Sequence, residues 1–226
     1  MATSGSADYQ INARQVVEQA HYLLGVQDPE EALSEAMASR GLEALNLMLK
    51  TWGAAGRLWL QTEGSVTLLA STASYALTGV RKVMSVRRKT GTNYLPLTEL
   101  SRQEYFDLPN PASTGTPLNW YLDTQRATKT LYVWPVPDAT VAAASTLPYT
   151  YARFIEDCDA LTNDPDVPQE WFETLYYGLA RRLGPRFPGV VGTPEFNEIK
   201  EASQGLYNAL SSVDQEASSI FFQPAE

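Results

Sequence analysis

Apolar residues recur at helical spacing in two blocks, residues 11–56 and 166–213, and lose that spacing between them. This order constrains the fold more than any other feature. Amphipathic helices of this length cannot bury their faces alone, so the two blocks must come together and the middle must leave and return as an insertion. In the first block Val16, Val17, Ala20, Leu23 and Leu24 share a face, and Gly25 supplies a stop. A second helix start is predicted at Asp28-Pro29-Glu30-Glu31, with Asp28 as cap, Pro29 in the first turn and Glu31 reaching back to the cap amide. Leu42, Leu45, Leu49 and Trp52 line that helix, which ends near Gly53 or Gly56. Gly41 within it costs about 1 kcal/mol against alanine, a cost that a close helix crossing explains.

In the second block Asp166 and Gln169 fit a capping box, with Pro168 in the first turn. Trp171, Leu175, Leu179 and Leu183 follow at steps of four, flanked by Phe172 and Tyr176, and Gly184-Pro185 ends the helix. The last helix starts at Thr193-Pro194. Its seam is Phe196, Ile199, Ser203, Leu206, Leu210 and Val213, at alternating steps of three and four.

From Gly64 to about Glu156 the texture is β-like. Val66-Thr67-Leu68-Leu69, Val80 to Val86, Trp120-Tyr121-Leu122 and Leu131-Tyr132-Val133-Trp134 are short runs rich in β-branched and aromatic residues, separated by Gly, Pro, Asn and Ser. They predict a small antiparallel sheet. One helical turn is expected from Thr98 through Phe106. Leu108 to Pro117 reads as an exposed loop and Pro135 to Ser145 as a second connection. Pro135 and Pro137 argue against a central, fully paired place for the strand before them. The predicted fold is α+β. Residues 9–60 and 166–213 form a helical bundle body, 64–156 an inserted antiparallel β domain, and 214–226 an extended tail.

Composition narrows the chemistry. Of 226 residues, 44% are hydrophobic and 19% charged, an ordinary globular balance. Lys and Arg total 17 against 26 Asp and Glu, a net charge of -9, which opposes a dedicated nucleic-acid grip. One cysteine, Cys158, excludes an intrachain disulfide and a multi-cysteine zinc site, and one histidine, His21, argues against a His-based metal site or a Ser–His–Asp triad. No apolar run matches a membrane span, and the opening Met1-Ala2-Thr3-Ser4-Gly5-Ser6 predicts no signal peptide.

Candidate chemical groups therefore read mainly as structural. His21 reads as a packing residue on the first helix. Cys158 lies in Glu156-Asp157-Cys158-Asp159, where negative neighbours suppress the thiolate. The acidic cluster Glu156, Asp157, Asp159, Asp164 and Asp166 lacks the turn glycine and closing glutamate of a helix-loop-helix calcium site. Gly53-Ala54-Ala55-Gly56 lacks the lysine and preceding strand of a phosphate loop. No spacing nominates a catalytic carboxylate pair, and no catalytic, cofactor or metal residue is assigned. Two features stay open. Arg81, Lys82, Arg87, Arg88 and Lys89 form either a solvated strand face or a patch for DNA phosphates or an acidic partner. Ile220, Phe221, Phe222 and Pro224 either fold back on the helices or dock on a neighbouring chain.

The order of landmarks resembles the head-to-tail adaptor proteins (head-completion or tail accessory factors) of tailed bacteriophages. Leu42-Glu43-Ala44-Leu45-Asn46-Leu47-Met48-Leu49-Lys50-Thr51-Trp52 followed by Leu58-Trp59 is similar to the family's second helix. Tyr75-Ala76-Leu77-Thr78-Gly79, Leu97-Thr98 with Glu104-Tyr105, Gly115-Thr116-Pro117 and Leu131-Tyr132-Val133-Trp134-Pro135-Val136-Pro137 resemble its β region. Asp166-Val167-Pro168-Gln169-Glu170-Trp171 with Leu179-Ala180 and Leu183 resembles its third helix. The resemblance spans residues 9–213. It implies a non-enzymatic subunit made in the host cytoplasm and built into the virion neck. It also implies a ring of twelve copies under the portal protein, which binds a tail nozzle or other tail proteins and lets genome DNA pass without sequence-specific binding. No cofactor and no membrane are implied. Carried onto this chain, the portal-reaching extension is Ser211 to Glu226, anchored by Ile220, Phe221 and Phe222. Two rival readings accompany it. One is a virion-associated peptidoglycan-degrading enzyme, for which no residue here matches a motif. The other is a DNA-binding module centred on Arg81 to Lys89.

Overall fold

The computed structural model describes residues 5–28, 30–126 and 128–214. In chain order the elements are α1 (Ala13–Leu23), α2 (Glu35–Ala54), β1 (Gln61–Thr67), β2 (Ser74–Leu77), β3 (Val80–Thr90), β4 (Asn93–Pro96), β5 (Thr98–Glu99) and α3 (Arg102–Phe106). There follow β6 (Thr114–Gly115), β7 (Asn119–Thr124), β8 (Lys129–Trp134), β9 (Val136–Pro137), α4 (Ala139–Ala144), β10 (Ser145–Arg153), α5 (Phe172–Leu183) and α6 (Pro194–Val213). The fold is α+β. Residues up to 59 and from 155 onward make a helical unit, and residues 60–154 make a β unit.

In the helical unit α1 opens on a capping box. The Asn12 side chain accepts from the Gln15 amide, and Gln15 answers the Asn12 amide. The next two orphan amides, Ala13 and Arg14, donate to the carbonyls of Asn163 and Leu161 at 2.8 and 2.9 Å, so the segment before α5 lies across the start of α1. Val16, Val17 and Ala20 face inward and are buried, as are Leu45, Met48, Leu49 and Trp52 on α2 and Leu175, Leu179 and Leu183 on α5. Gly41 sits where α1 and α2 cross. A Cβ there would fall on the Val17 Cγ1 methyl, so the glycine permits the close approach.

Two predicted helix starts move. Residues Glu30 to Ser34 precede the second helix. Its cap is Ser34, whose hydroxyl accepts from Met37, while the Asp28 side chain and carbonyl accept from the amides of Glu30 and Glu31. Asp28 lies seven residues before the first α2 residue, Glu35, too far to cap that turn. Asp166 is not a cap either. Its Oδ2 accepts from the Glu156 amide at 3.0 Å, tying the connecting segment to itself, and α5 is entered through a 3-10 turn at Gln169–Trp171. Cys158 is held by a reciprocal pair with Asn46 at 2.9 Å each way. Lys50 donates to the Ile155 carbonyl at 2.8 Å and pairs with Asp157 at 2.9 Å. The acidic stretch is thus strapped to α2.

The β unit holds two four-stranded sheets, ordered β1-β10-β3-β4 and β2-β8-β7-β5, where the sequence predicted a single sheet. Short parallel pairings, β5 with β7 and β6 with β9, join an otherwise antiparallel pattern. The inward residues Val83, Val86, Leu147 and Tyr149 of the first sheet and Tyr75, Leu77, Trp120, Leu131 and Val133 of the second fill one apolar core. Strand β8 is central and paired on both sides, against the expectation from Pro135 and Pro137. Both prolines follow the last paired residue of β8, Trp134, so neither removes a donor from its ladders. Strand β10 is also central and contains Pro148. Opposite β1 the register runs through Ser65↔Pro148, whereas opposite β3 pairing passes from Thr146↔Lys89 to Tyr149↔Val86. The missing N–H is absorbed at that gap. Among the described residues no helix is long and apolar enough to cross a membrane.

Candidate functional site

Arg87 and Lys89 alternate onto one face of β3, where Tyr94 on β4 lies directly opposite Lys89. The Arg87 guanidinium sits 5.3 Å and the Lys89 ammonium 5.4 Å from the centre of that ring. Arg87 also pairs with Glu63 at 2.9 Å. Arg88 alternates onto the opposite face. The register of β10 on β3 shifts between Ser85 and Val83 and again between Lys82 and Val80, which leaves Arg81 and Met84 outside the ladder. Of the five cations in nine residues, Arg87 and Lys89 thus share one aromatic face.

A second surface was not nominated by the sequence. Tyr121 on β7 and Tyr132 on β8 are cross-strand partners with rings stacked 6.0 Å apart, and Tyr105 on α3 stacks on Tyr121 at 5.1 Å. Helix α3 has a complete capping box between Ser101 and Glu104, which fixes Tyr105 over the sheet. Phe106 extends the cluster to the surface and is 64% exposed, with Arg102 lying 5.4 Å over its ring. The sequence signal was present as three separate aromatics, but only the register brings them together.

The third arrangement lies where α6 ends. Ile220, Phe221, Phe222 and Pro224 fall outside the described residues, but their point of departure is described. Arg57, in the loop after α2, is only 5% exposed. Its guanidinium lies 4.7 Å from the Trp171 ring and 4.9 Å from the Tyr207 ring, donates to Ser211 Oγ at 3.0 Å, and stands 3.8 Å from an Asp214 carboxylate oxygen. Trp52 and Trp59 pack on Trp171 at 5.5 and 5.1 Å, so a flat cation is held among rings and closes the last turn of α6. A lone arginine between Trp52 and Trp59 was the available sequence signal.

Other chemical candidates are placed within packing. His21 is buried. Its Nδ1 lies 2.7 Å from the Val17 carbonyl, and its ring meets Phe187 edge-on. Burial lowers its pKa, against a smaller opposing effect of that hydrogen bond. Cys158 is buried, and its thiol is pushed up to about 11 by burial first and then by Asp157, Asp164, Asp159 and Asp166. Among the described residues no group of three or more His, Cys, Asp or Glu could hold a metal ion.

A family model described as "SU10 adaptor protein" matches residues 12–223. A chain from a solved structure titled "Neck of empty GTA particle computed with C6 symmetry" is similar at 14% identity and a TM-score of 0.25, with 85% of this chain and 93% of that chain covered. That likeness is too loose to carry an argument. No curated protein matches. The family match takes in both units and every helix and strand from α1 to α6, and on it the chain belongs to the SU10 adaptor protein family.

Proposed function

We propose that this protein is a structural head-to-tail adaptor of a tailed phage. Copies form a ring of twelve under the portal, extend the DNA channel and present a platform for tail proteins. The family match running from residue 12 to residue 223 is the observation that carries this reading. The arrangement of the chain agrees with it. Its described surface carries exposed aromatic area, such as Phe106 beside the tyrosine stack, and α6 ends at the Arg57 clamp just before the tail residues. Such features suit docking, in which affinity comes from buried anchors. The net charge of -9 lets genome DNA pass without being gripped, because phosphates are repelled rather than neutralised. The tail residues Ile220, Phe221, Phe222 and Pro224 are the portal anchors in this reading.

Electron microscopy of portal mixed with the purified protein tests it. Added density beneath the portal is expected with the full chain and strongly reduced density with a chain ending at Asp214. That cut leaves Ser211 and Asp214 with Arg57, so any loss reports the tail rather than a frayed helix. Absence of density with the full chain would overturn the adaptor reading, and equal density with both chains would overturn the tail's part in it.

A further inference from the structure

Between α2, α5 and α6 runs a groove of about 470 Å³, lined by Met48 and Trp52 below, Tyr207 on one side and Arg181 and Arg182 on the rim. Gly178 forms part of the floor. A Cβ there would stand 3.0 Å from both Met48 Sδ and Trp52 Cζ2, so the glycine brings α5 down on these residues, which keep only their edges toward the groove. The two arginines are exposed and lightly engaged. Arg181 donates to Gln204 at 2.8 Å and Arg182 to Thr51 at 3.2 Å, each with one guanidinium nitrogen. The groove therefore offers an apolar floor beneath a cationic rim.

The segment after α6 has the complementary chemistry. Residues 214–226 contain Asp214, Glu216 and Glu226 and no Lys or Arg, with Ile220, Phe221 and Phe222 between the last two acids. Reach is sufficient. Phe221 lies eight residues past Val213, and an extended stretch of that length spans about 26 Å. Doubling back along α6 from Val213 to Tyr207 needs only about 9 Å, and to Ser203 about 15 Å. The Arg57 clamp fixes where this return begins. A second apolar pocket of about 590 Å³ lies against Phe187 and Phe196, but it is lined by Glu195 and no cation. Returning to Phe196 would also take about 26 Å, the whole reach.

We propose that the groove stows the protein's own segment after Asp214. Phe221 and Phe222 lie on Met48, Trp52 and Tyr207, and the acids Glu216 and Glu226 face Arg181 and Arg182. A stowed tail keeps its anchors off solvent and off other free copies until a competing surface takes them. This inference stands apart from the portal reading, because stowing needs no portal.

Hydrogen exchange on the full-length protein tests it, comparing the native chain with F221A/F222A and with R181E/R182E. R181E/R182E also removes the bonds to Gln204 and Thr51, so unchanged thermal melting is required of both variants. At least threefold faster exchange in peptides covering 178–184 and 200–208 is expected in each variant, with the β unit unchanged. Equal exchange in the native chain and F221A/F222A overturns the proposal, as does faster exchange in R181E/R182E alone. Protection that disappears when the native protein is diluted also overturns it, assigning the groove to a second copy's tail.

Discussion

Two residues show how far single positions carry structural meaning. Gly41 is an energetic oddity in a helix, and the crossing that explains it is in place against Val17. Alanine there gains about 1 kcal/mol of helix propensity, but its methyl lands on a fully buried β-branched neighbour, and overpacking of that kind costs about 1–3 kcal/mol. Gly41→Ala is therefore expected to lower stability in denaturant melts. In a Val17→Ala background the same change should become neutral or stabilising, and the double-mutant cycle reads that coupling. His21 gives a pH prediction. A carbonyl only accepts, so Nδ1 carries the proton toward Val17. Burial lowers the folded pKa below the ordinary 6.5, so the unfolded chain takes up the second proton first. Stability is then complete above about pH 6.5 and declines as the pH falls below it. The melting temperature should drop between pH 7 and 5.5, and His21→Phe should flatten that slope whatever its own stability. The packing role of His21 was legible in the sequence because nothing nearby could share a ligand. Arg57 was not, since its meaning depends on Trp171 and Tyr207 arriving from far along the chain.

At the scale of elements, the predicted seam of α6 divides. Phe196, Ile199 and Ser203 are buried, whereas Val213 is 79% exposed. Periodicity marks the face but not how much of it a neighbour covers. What holds the lower turns is Arg57 rather than the seam. Breaking a buried charge pair by removing one partner costs about 3–5 kcal/mol. Arg57→Ala should approach that loss in thermal melts and raise exchange across residues 207–213. Arg57→Lys, which keeps charge but loses the flat stacking group, should fall between. Strand β10 went unmarked for a comparable reason. Pro148 argues against a central strand, and only the gap in its pairing with β3 shows how one proline is tolerated. The second helix is capped by Ser34 rather than Asp28, a choice that local rules cannot make without the helix's tertiary partners.

Over the whole molecule, the division into helical ends and a β middle was readable because periodicity changes twice and survives any error at element boundaries. The pairing of two sheets was not, since register is a relation between distant strands. The same division predicts how the chain fails when cut. A fragment ending at Phe154 retains every strand of the β unit and its core, but α1 and α2 lose α5, α6 and the carbonyls that meet Ala13 and Arg14. Circular dichroism of that fragment should show the helical signal largely gone while the sheet signal persists. Retention of native helicity per residue would mean that α1 and α2 stand alone.

The first and last strands of the β unit, β1 and β10, lie side by side, with Gln61 opposite Ala152. A module whose two ends are neighbours behaves as a cassette: it can be lengthened, trimmed or exchanged by recombination without respacing the host scaffold. The β unit is therefore expected to vary quickly among related chains, while the helical unit drifts only as slowly as its packing allows.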